Sequence, residues 1–565
     1  MKVSTLSEYL DRLERTQSRN EMSQILAEVI REAEKGEASV LMYLLMGRVR
    51  PLFDPVEFGV ADKQVMKAMV RASGVTEEAL GAQYRVLGDL GLVWFAVAKS
   101  AGGEKMEVIF LYESLSQIAA ESGGGSQERK LMLIEELLGK LTANEGKYVI
   151  RILLGKLRLG FSDKTLIDAL SISEVGDKGI ADKLEYAYQV RPDIGFLVQK
   201  VKEVGWKRAC EGVGVALGTP MMVMLAARLK TAGEMVKKMG SVAVEPKFDG
   251  TRIQIHFQRR GDWKVKTYTR NLEENTYSFP ELTKLGDVVD ADSLVLDAEA
   301  VGVDTKTGKL VPFQMTMTRK RKHDVAEQAG KVPMVFYVFD VMYKDGVSLI
   351  DKSYEERRKI LTKAVKKNDW LRVDEYKLVT KAEEITKLHQ LQIDKGLEGV
   401  IVKKIDSQYV PGRTGWRWVK MKEAEGSTGK LSDTIDAVIM GFYSGKGKRA
   451  GFGIGKFLVG VRRGEQIVTL TKIGTGLSDE QFKQLKNALD KLVATKADES
   501  YVIDKTLVPD VWVEPKLVVE VAADEITISP TYSAGVSLRF PRLVKFRDDK
   551  SVQQATTIDE VKQMI

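Results

Sequence analysis

The sequence is poor in the residues that build metal clusters and covalent cross-links. Its 565 residues include one cysteine, Cys210, and three histidines, His256, His323 and His389. A single cysteine excludes an internal disulfide, and so few Cys and His residues argue against a zinc site. Any catalytic metal should therefore be a hard cation held by carboxylate and phosphate oxygens, which indicates Mg²⁺.

Long apolar runs are also missing, as is the phosphate-binding motif of the P-loop enzymes. No stretch is apolar over the roughly 18 residues that a membrane span needs, and the N-terminus is too charged for a signal peptide. We therefore expect a cytoplasmic or nucleoid-associated protein with no membrane partner. The pattern G-x-x-x-x-G-K-[ST] does not occur, so the chain is not a P-loop nucleotidase.

Charge of one sign is in only modest excess. Lys and Arg total 87 against 79 Asp and Glu, a formal net charge of +8, and 44% of the residues are hydrophobic. This excess permits a nucleic-acid partner only where positive side chains are concentrated on one face. The length is too great for a single core and predicts about three or four domains.

Apolar periodicity divides the chain into three regions. Residues 1–215 place apolar residues three and four apart and predict an all-α domain. Residues 216–424 alternate strand-like and helical segments and predict an α+β domain with mainly antiparallel strands; within it, Ser353 followed by Glu356 predicts a helix-starting capping box. Residues 425–565 hold short strand-like segments joined by glycine-rich turns, typical of a small Greek-key β-barrel, the class to which OB-folds belong.

One basic cluster falls inside the helical region. Lys147, Arg151, Lys156 and Arg158 lie on or beside an apolar helix that ends at Gly160, and G-F-S-D-K-T follows. A basic edge of this kind is usually a solvated face. Beside a glycine-bearing turn with free backbone N–H groups, it also fits contact with duplex phosphates. The sequence leaves both interpretations open.

The segment E-P-K-F-D-G, residues 245–250, carries the clearest chemical signal. Lys247 stands just before an alternating strand, where rigid backbone can aim its amine, and Arg252 on that strand supplies a nearby cation. A lysine amine attacks phosphorus only when it is unprotonated, a state that burial, neighbouring positive charge or a metal ion favours. By itself K-x-D-G is short enough to occur by chance in a surface hairpin.

Carboxylates, lysines and aromatic residues at other strand-like segments extend the candidate set. Asp297 and Glu299 lie two apart on one strand and Glu398 stands just before another, which suits Mg²⁺ bound alongside substrate phosphates. Phe339 could stack on a purine, although an aromatic residue in so apolar a strand usually belongs to the core. Four residues share one strand face by parity: Trp416, Trp418, Lys420 and Lys422. The two lysines among them would place their ammonium groups where they neutralise a phosphate.

The order of the motifs is more specific than any one of them. After K-x-D-G come T-R-N at 269–271, D-A-E at 297–299, F-D-V-M at 339–342, E-G-V-I-V-K at 398–403, W-V-K-M-K at 418–422 and R-D-D-K at 547–550. This succession resembles the covalent nucleotidyltransferases and, over nearly the whole chain, the ATP-dependent DNA ligases of the archaeal and eukaryotic replicative type. The resemblance implies a helical DNA-binding domain over 1–215, an adenylation (nucleotidyltransferase) domain over 216–424 and an OB-fold domain over 425–565.

The resemblance also implies roles for individual residues. Lys247 would form the adenylyl phosphoramidate, Glu245 would help to select adenine, and Glu398 would hold Mg²⁺. The remaining ligands would contact other parts of the nucleotide: Arg252 and Arg270 the phosphate or ribose, Glu299 the ribose or metal, Phe339 the adenine face, Lys420 and Lys422 the α-phosphate, and Arg547 and Lys550 the leaving pyrophosphate.

One position departs from the family pattern. The family commonly has an arginine four residues before the tryptophan matched by Trp418, where this chain has Thr414 and, one step earlier, Arg413. We keep Arg413 as a nucleotide-binding candidate whose role is open. The resemblance further implies ATP and Mg²⁺ as cofactors, nicked double-stranded DNA as substrate and a monomeric protein; it also admits a sliding clamp as partner, without identifying a docking segment.

Two other interpretations of the motifs stay open. An RNA ligase or a GTP-using capping enzyme shares the lysine motif and often the barrel, but gives the helical region no evident purpose. A non-catalytic nucleic-acid-binding protein could keep the fold without the chemistry, although an intact K-x-D-G and Glu398 argue against it. A NAD-dependent ligase is disfavoured by the missing cysteine cluster.

Overall fold

The computed structural model describes residues 1–54, 56–98, 106–155, 157–229, 231–304, 307–311, 333–412, 415–422, 434–445, 453–474 and 477–564. The chain divides into two compact units, Met1–Lys422 and Glu423–Ile565. In the described part of the chain, no helix is both long and apolar enough to cross a lipid bilayer.

The beginning of the first unit is helical, because its apolar residues recur every third or fourth position and pack into one core. Leu13, Leu26 and Val65 are fully buried there. The helices α1 to α13 are Val3–Arg15, Arg19–Glu32, Ala38–Leu45, Asp62–Ser73, Glu77–Leu87, Leu90–Val97, Val108–Ala120, Ser126–Gly139, Ala143–Leu153, Asp163–Val175, Ala181–Val190, Ile194–Val204 and Trp206–Glu211.

Two sheets follow in the same unit. The first sheet has the strand order β1-β11-β10-β2-β9, with β1 at Ala227–Arg228, β2 at Val242–Lys247, β9 at Lys377–Val379, β10 at Gly399–Lys404 and β11 at Trp418–Lys422. The second has the order β4-β3-β5-β6-β7 with β8 beside β6, comprising β3 at Thr251–Gln258, β4 at Val265–Thr269, β5 at Ser293–Gly302, β6 at Met334–Lys344, β7 at Val347–Ser348 and β8 at Leu371–Val373.

The pairings in both sheets are antiparallel except those of β1 with β11 and of β6 with β8. Among the residues that the structure describes, four helices accompany the sheets: α14 at Ala232–Met239, α15 at Leu285–Val288, α16 at Tyr354–Ala364 and α17 at Ala382–Asp394. The capping box predicted at the start of α16 is confirmed, because the Ser353 hydroxyl accepts from the Glu356 backbone N–H and the Glu356 carboxylate accepts from Ser353.

Strand β3 differs from the half-buried strand that its alternation predicts. Gln254 and His256 are as fully buried as the apolar residues that alternate with them along the strand. A linking segment, residues 218–224, lies over their face of the sheet: the Gly218 N–H donates to His256 Nδ1 at 3.2 Å and the Met221 N–H donates to Gln254 Oε1 at 3.1 Å. These hydrogen bonds to the backbone of the linking segment compensate for the burial of the two polar side chains.

The second unit is built mainly of strands. Its larger sheet runs β15-β17-β12-β13-β14-β16, with β18 between β12 and β21, and β19 pairs separately with β20. The strands β12 to β21 are Ile435–Tyr443, Lys456–Arg463, Gln466–Ile473, Val493–Ala494, Tyr501–Val502, Val511–Val513, Val518–Ala522, Glu525–Ile528, Val536–Arg539 and Arg542–Phe546; the helices are α18, Asp479–Asp490, and α19, Ile558–Gln563.

Candidate active site

Lys247 is the last residue of β2, where antiparallel pairing with β10 places it opposite Gly399. Its amine forms an ion pair with the Glu398 carboxylate, and the Glu398 N–H donates to the Lys247 carbonyl at 3.1 Å. Both side chains keep about a fifth of their surface exposed, 21% for Lys247 and 18% for Glu398. The amine is thus held by regular backbone and still reachable by a substrate.

The glycine of K-x-D-G is required by close packing. A Cβ on Gly250 would lie 2.5 Å from the Ala300 carbonyl oxygen and 2.9 Å from Glu299 Cγ, both on β5. The turn that follows Lys247 is consequently pressed directly onto the second sheet. On the same turn, the Phe248 ring stacks on Tyr337 of β6 with centroids 3.9 Å apart.

Glu299 is a carboxyl group whose charge is incompletely compensated. It stands on β5 opposite Arg252 and Tyr337 in the neighbouring strands. Burial raises its pKa to about 8; Lys247 and Arg252 oppose that shift, whereas the negative charges of Asp297 and Glu398 add to it. We define Lys247, Arg252, Glu299 and Glu398 as the lysine site, because these four groups interact across the two sheets.

Arg252 is held in place by several acceptors. Its Nε and one terminal nitrogen donate to the two Asp297 oxygens at 3.0 and 2.7 Å, and its other terminal nitrogen donates to the Met224 carbonyl at 2.8 Å. The Tyr409 hydroxyl donates to the same Asp297 carboxylate at 2.8 Å. Burial alone would lower the pKa of Arg252, but Asp297 keeps it above its ordinary value.

Glu245, the residue expected to help select adenine, belongs to a buried charged pair whose other member, Lys403, motif reading missed. Glu245 is 2% exposed and accepts from the Lys403 amine at 2.5 Å and from the Tyr354 hydroxyl. Lys403 is 1% exposed and lies over the rings of Trp418 and Phe339, 4.1 and 4.7 Å from their centroids. A lysine at an inward-facing position of an apolar strand was the available signal, but pairing it with Glu245 requires the strand register.

Other predicted residues of the first unit are placed as follows. Phe339 is half-buried and meets Trp418 edge-on, with centroids 6.0 Å apart. In the first sheet, Lys420 stands opposite Ile401, and the backbone of Lys422 pairs with Gly399, which itself pairs with Lys247. Pairing therefore brings the 418–422 strand to within two strand spacings of Lys247, roughly 10 Å.

One prediction about this region is wrong, and those for Arg270 and Arg413 stay predictions. Trp416 does not share the face of Trp418, because the strand begins only at Trp418; Trp416 is 43% exposed and Trp418 2%. Arg270 is exposed in the turn after β4. Arg413 lies outside the described residues, as does Thr414.

Arg547 and Lys550 come together in the second unit. Both bind the Asp436 carboxylate, with Arg547 at 3.0 Å and Lys550 at 2.5 Å. Arg547 also donates to both oxygens of Asp549, at 2.8 and 2.7 Å. The R-D-D-K motif is therefore a cationic pair oriented by one shared carboxylate.

The basic cluster of the helical region is not the exposed edge that its sequence allows. Lys147 and Arg151 are 7% and 3% exposed and pair with the carboxylates of Asp11, Glu14 and Asp89. These five residues, here called the helical ion cluster, pair with one another; Lys147, Arg151 and Asp89 are buried, whereas Asp11 and Glu14 are partly exposed. Arg158 is half exposed and donates to the Gly88 carbonyl, whereas Lys156 lies outside the described residues.

The oxygen donors of the lysine site suit a hard divalent cation. Burial raises the pKa of Glu299, and the negative charges of Asp297 and Glu398 add to that shift, so extra positive charge would be favourable here. Within the described ranges no group of three or more His, Cys, Asp or Glu residues is placed to hold a metal ion. A cation bound here would thus take two protein carboxylates and complete its shell with substrate phosphate and water, as Mg²⁺ does.

Comparison with known proteins gives the same family in all three parts of the chain. Residues 2–171 match the model for the DNA ligase N terminus, residues 223–422 that for the ATP dependent DNA ligase domain, and residues 450–550 that for the ATP dependent DNA ligase C terminal region. The solved structure "Pmar-Lig_PreS3" shares the fold, with a TM-score of 0.56 and 18% identity over 96% of this chain and 99% of that one.

Relatives extend over the full length. A probable DNA ligase of Dictyoglomus thermophilum is 38% identical over 100% of this chain and 97% of its own length. DNA ligase 1 of Methanosarcina acetivorans is 35% identical over 100% of this chain and 99% of its own length. With matches of this extent in every region, the chain belongs to the ATP-dependent DNA ligase family and is a ligase enzyme.

Proposed function

We propose that the chain seals nicks in duplex DNA, between a 5′-phosphate and a 3′-hydroxyl, with Lys247 as the nucleophile. The observation that carries this proposal is the lysine site itself. An amine at the end of a strand lies against one carboxylate, Glu398, and near a second, Glu299, whose pKa is raised to about 8. Perturbed groups gathered around a potential nucleophile are typical of a catalytic centre.

The reaction proceeds in three phosphoryl transfers. The unprotonated Lys247 Nζ attacks the α-phosphorus of ATP; an N–P bond forms, the bond to the β-phosphate oxygen breaks, and pyrophosphate leaves with the electron pair. A 5′-phosphate oxygen of the nick then displaces the lysine nitrogen, giving a DNA-adenylate. The 3′-hydroxyl finally attacks the 5′-phosphorus, loses its proton and releases AMP. Each step depends on in-line positioning and charge neutralisation.

Other residues bind and orient the nucleotide. Glu245, with Lys403 and Tyr354 behind it, and Phe339 would line the adenine pocket. Further ligands would hold the sugar and phosphates: Arg252, Arg270, Arg413, Lys420 and Lys422 for ribose and phosphate, and Arg547 and Lys550 for the leaving pyrophosphate. Mg²⁺ held by Glu299 and Glu398 would neutralise phosphate charge during the transfers.

The three regions divide the work. Residues 1–215 would bind duplex DNA, residues 216–424 would carry the adenylate, and residues 425–565 would form an OB-fold domain that serves ATP and then the nick. Serving both would require this domain to move between the two reaction steps. Arg547 and Lys550 motivate this proposal, because they belong to a separate compact unit from Lys247. Small-angle scattering that gave one unchanged shape with and without nicked DNA would argue against it.

Location, oligomeric state and cellular processes are proposed from membership of the DNA ligase family. We place the protein in the cytoplasm or at the nucleoid, acting as a monomer in DNA replication, repair and recombination, with a sliding clamp as a candidate recruiting partner. A monomer should bind a nicked duplex as one protein per DNA molecule, which light scattering of the complex tests. A two-to-one complex would contradict it.

Intact-mass measurement tests the central proposal. Protein freed of nucleotide and incubated with ATP and Mg²⁺ should gain one adenylyl group and lose it when nicked DNA is added. Lys247→Ala should gain none, whereas Lys404→Ala, at the far end of β10, is the matched lysine control and should behave as wild type. An adduct with GTP alone would favour a capping enzyme, and no adduct would favour a non-catalytic binding protein.

A further inference from the structure

The catalytic turn joins the two sheets of the first unit. β2, in the first sheet, ends at Lys247, and β3, in the second sheet, begins at Thr251, so three residues cross from one sheet to the other. Lys247 is fixed to the first sheet through its pairing with Gly399. The direction in which its amine points toward Glu299 therefore depends on how this short crossing is anchored to the second sheet.

Two contacts anchor the crossing. At one end, Gly250 packs against the Ala300 carbonyl and the Glu299 side chain. At the other end, directly after the lysine, Phe248 lies face to face with Tyr337, with an interplanar angle of 15° and centroids 3.9 Å apart. Tyr337 stands opposite Glu299 in the β5–β6 register, so the stack and the carboxyl group occupy one row of the second sheet.

We propose that the Phe248–Tyr337 stack is a positioning device that aims the Lys247 amine at the α-phosphorus; this inference rests on the function proposed above. Neither residue would touch the reacting atoms. They act through the lysine, because a rigid planar contact on the adjacent residue limits how far the end of β2 can shift against the second sheet.

The stack differs from the aromatic contacts that build the core of the second sheet. Phe279 meets Phe336, and Phe336 meets Trp370, edge-on, at 5.6 and 6.2 Å. Phe336 is fully buried, whereas Phe248 and Tyr337 are each half-buried. A half-buried parallel pair beside the nucleophile contributes less to the core than a buried one and more to the geometry of the turn.

Because the lysine takes part in only two of the three transfers, loss of the stack should affect the three rates differently. The lysine nitrogen forms a bond in the first transfer and breaks it in the second, but takes no part in the third. A displaced lysine should thus slow the first two transfers and leave the third almost unchanged. Since a misplacement of about 1 Å can cost on the order of 10²-fold in rate, loss of the stack should be easily measured.

The test compares Phe248→Leu, which keeps an apolar side chain but loses the ring, with Phe248→Tyr, which keeps the ring. Single-turnover adenylylation is measured against ATP concentration, and sealing is measured on a nicked duplex that already carries a 5′-adenylate. We expect Phe248→Leu to lower the maximal adenylylation rate by roughly 10- to 100-fold with little change in half-saturating ATP. Sealing of the pre-adenylated nick should stay within about twofold, and Phe248→Tyr should restore adenylylation.

Tyr337→Leu and Tyr337→Phe repeat the test from the other ring, and carry it if Phe248→Leu fails to fold. Unchanged adenylylation in both leucine variants, or equal losses of adenylylation and of pre-adenylated sealing, would overturn the inference. Wild-type protein that forms no adduct would instead refute the proposed function. An adduct on Lys247 that forms normally in the leucine variants would refute the positioning role alone.

Discussion

The helical ion cluster and the lysine site contain the same kinds of residues but are in opposite electrostatic states. In the cluster, each cation has a carboxylate: the Lys147 amine lies 2.8 Å from Asp11, and Arg151 donates to Glu14 at 2.9 Å. Burial alone would raise the pKa of Glu14, but hydrogen bonds from Arg151 and Lys147 bring it down to about 2. The ionised forms of these groups are therefore the stable ones.

At Glu299 in the lysine site, burial prevails over pairing. The pKa of Glu299 rises to about 8 although Lys247 and Arg252 are both near it. Its ionised form is costly until further positive charge arrives. Removing one partner of a satisfied buried charge destabilises a fold, whereas an incompletely satisfied charge is typical of a binding site. This difference, which no sequence motif states, separates a structural basic cluster from a catalytic one.

Replacing Glu398 should have the largest effect and should change activity alone. Glu398→Ala removes the ion-pair partner of Lys247 and one carboxylate available to Mg²⁺. We expect adenylylation to fall by about 10²- to 10³-fold, the size of loss typical for a preorganised charged group. Single-turnover adenylylation and urea unfolding measure the two quantities. A large loss of stability would contradict the assignment of Glu398 to the site.

Replacing Arg151 should do the reverse. Arg151→Ala breaks the buried ion pair with Asp89, which is 5% exposed and keeps only the more distant Arg158 at 3.6 Å. It also removes one of the two cations that pair with Glu14, the other being Lys147. Breaking such a buried pair costs about 3 kcal/mol of unfolding free energy, measured by urea unfolding. The adenylylation rate of the folded fraction should match that of wild type. A matched control is Arg12→Ala, whose pairing with Glu28 is largely exposed and should contribute less than about 1 kcal/mol.

Glu299→Gln should separate stability from function at a single residue. Because its folded-state pKa lies above the ordinary 4.5, the carboxylate costs free energy that appears as the pH rises from about 4.5 to about 8 and persists above. At pH 9 the variant should therefore be more stable than wild type by at least about 1 kcal/mol, and near pH 4 the difference should vanish. Adenylylation should nevertheless fall. Destabilisation at pH 9 would show that Glu299 is a satisfied structural charge.

The sequence predicts the local elements of the fold more fully than it predicts the roles of the reactive residues. The strands around Lys247 and the capping box at Ser353 follow from local patterns, which hydrophobic alternation and side-chain capping decide within a few residues. The candidates Lys247, Glu299 and Glu398 come together as the motif order implies. Their chemical roles stay predictions.

What local patterns could not supply was pairing over long sequence separations. Lys403 reaches Glu245 across 158 positions of the chain only through the β2–β10 register, and Lys147 reaches Asp11 across 136. Parity counted from Trp418 failed at Trp416, because alternation holds only inside the strand. Burial of a charge is a tertiary property, so the same basic pattern could predict an exposed edge or an internal ion cluster.

His256 offers a third state, a buried group that is kept neutral. It is fully buried, accepts from the Gly218 N–H, meets the Tyr268 ring edge-on at 5.1 Å and faces Lys266 on β4. Burial, with a smaller contribution from Lys266, lowers its pKa from 6.5 to about 3. The unfolded chain therefore binds a proton below pH 6.5 that the folded chain refuses, and stability falls as the pH drops from 6.5 toward 3.

His256→Gln keeps an acceptor for Gly218 and removes the titration. Between pH 6.5 and 5.5 wild type should lose about 1 kcal/mol more of unfolding free energy than the variant. Urea unfolding at both pH values measures this difference, and the comparison cancels the carboxylates common to both proteins. Equal pH dependence in the two would mean that His256 accepts its proton in the folded state. The linking segment, residues 218–224, would then not depend on a neutral imidazole for its attachment to β3.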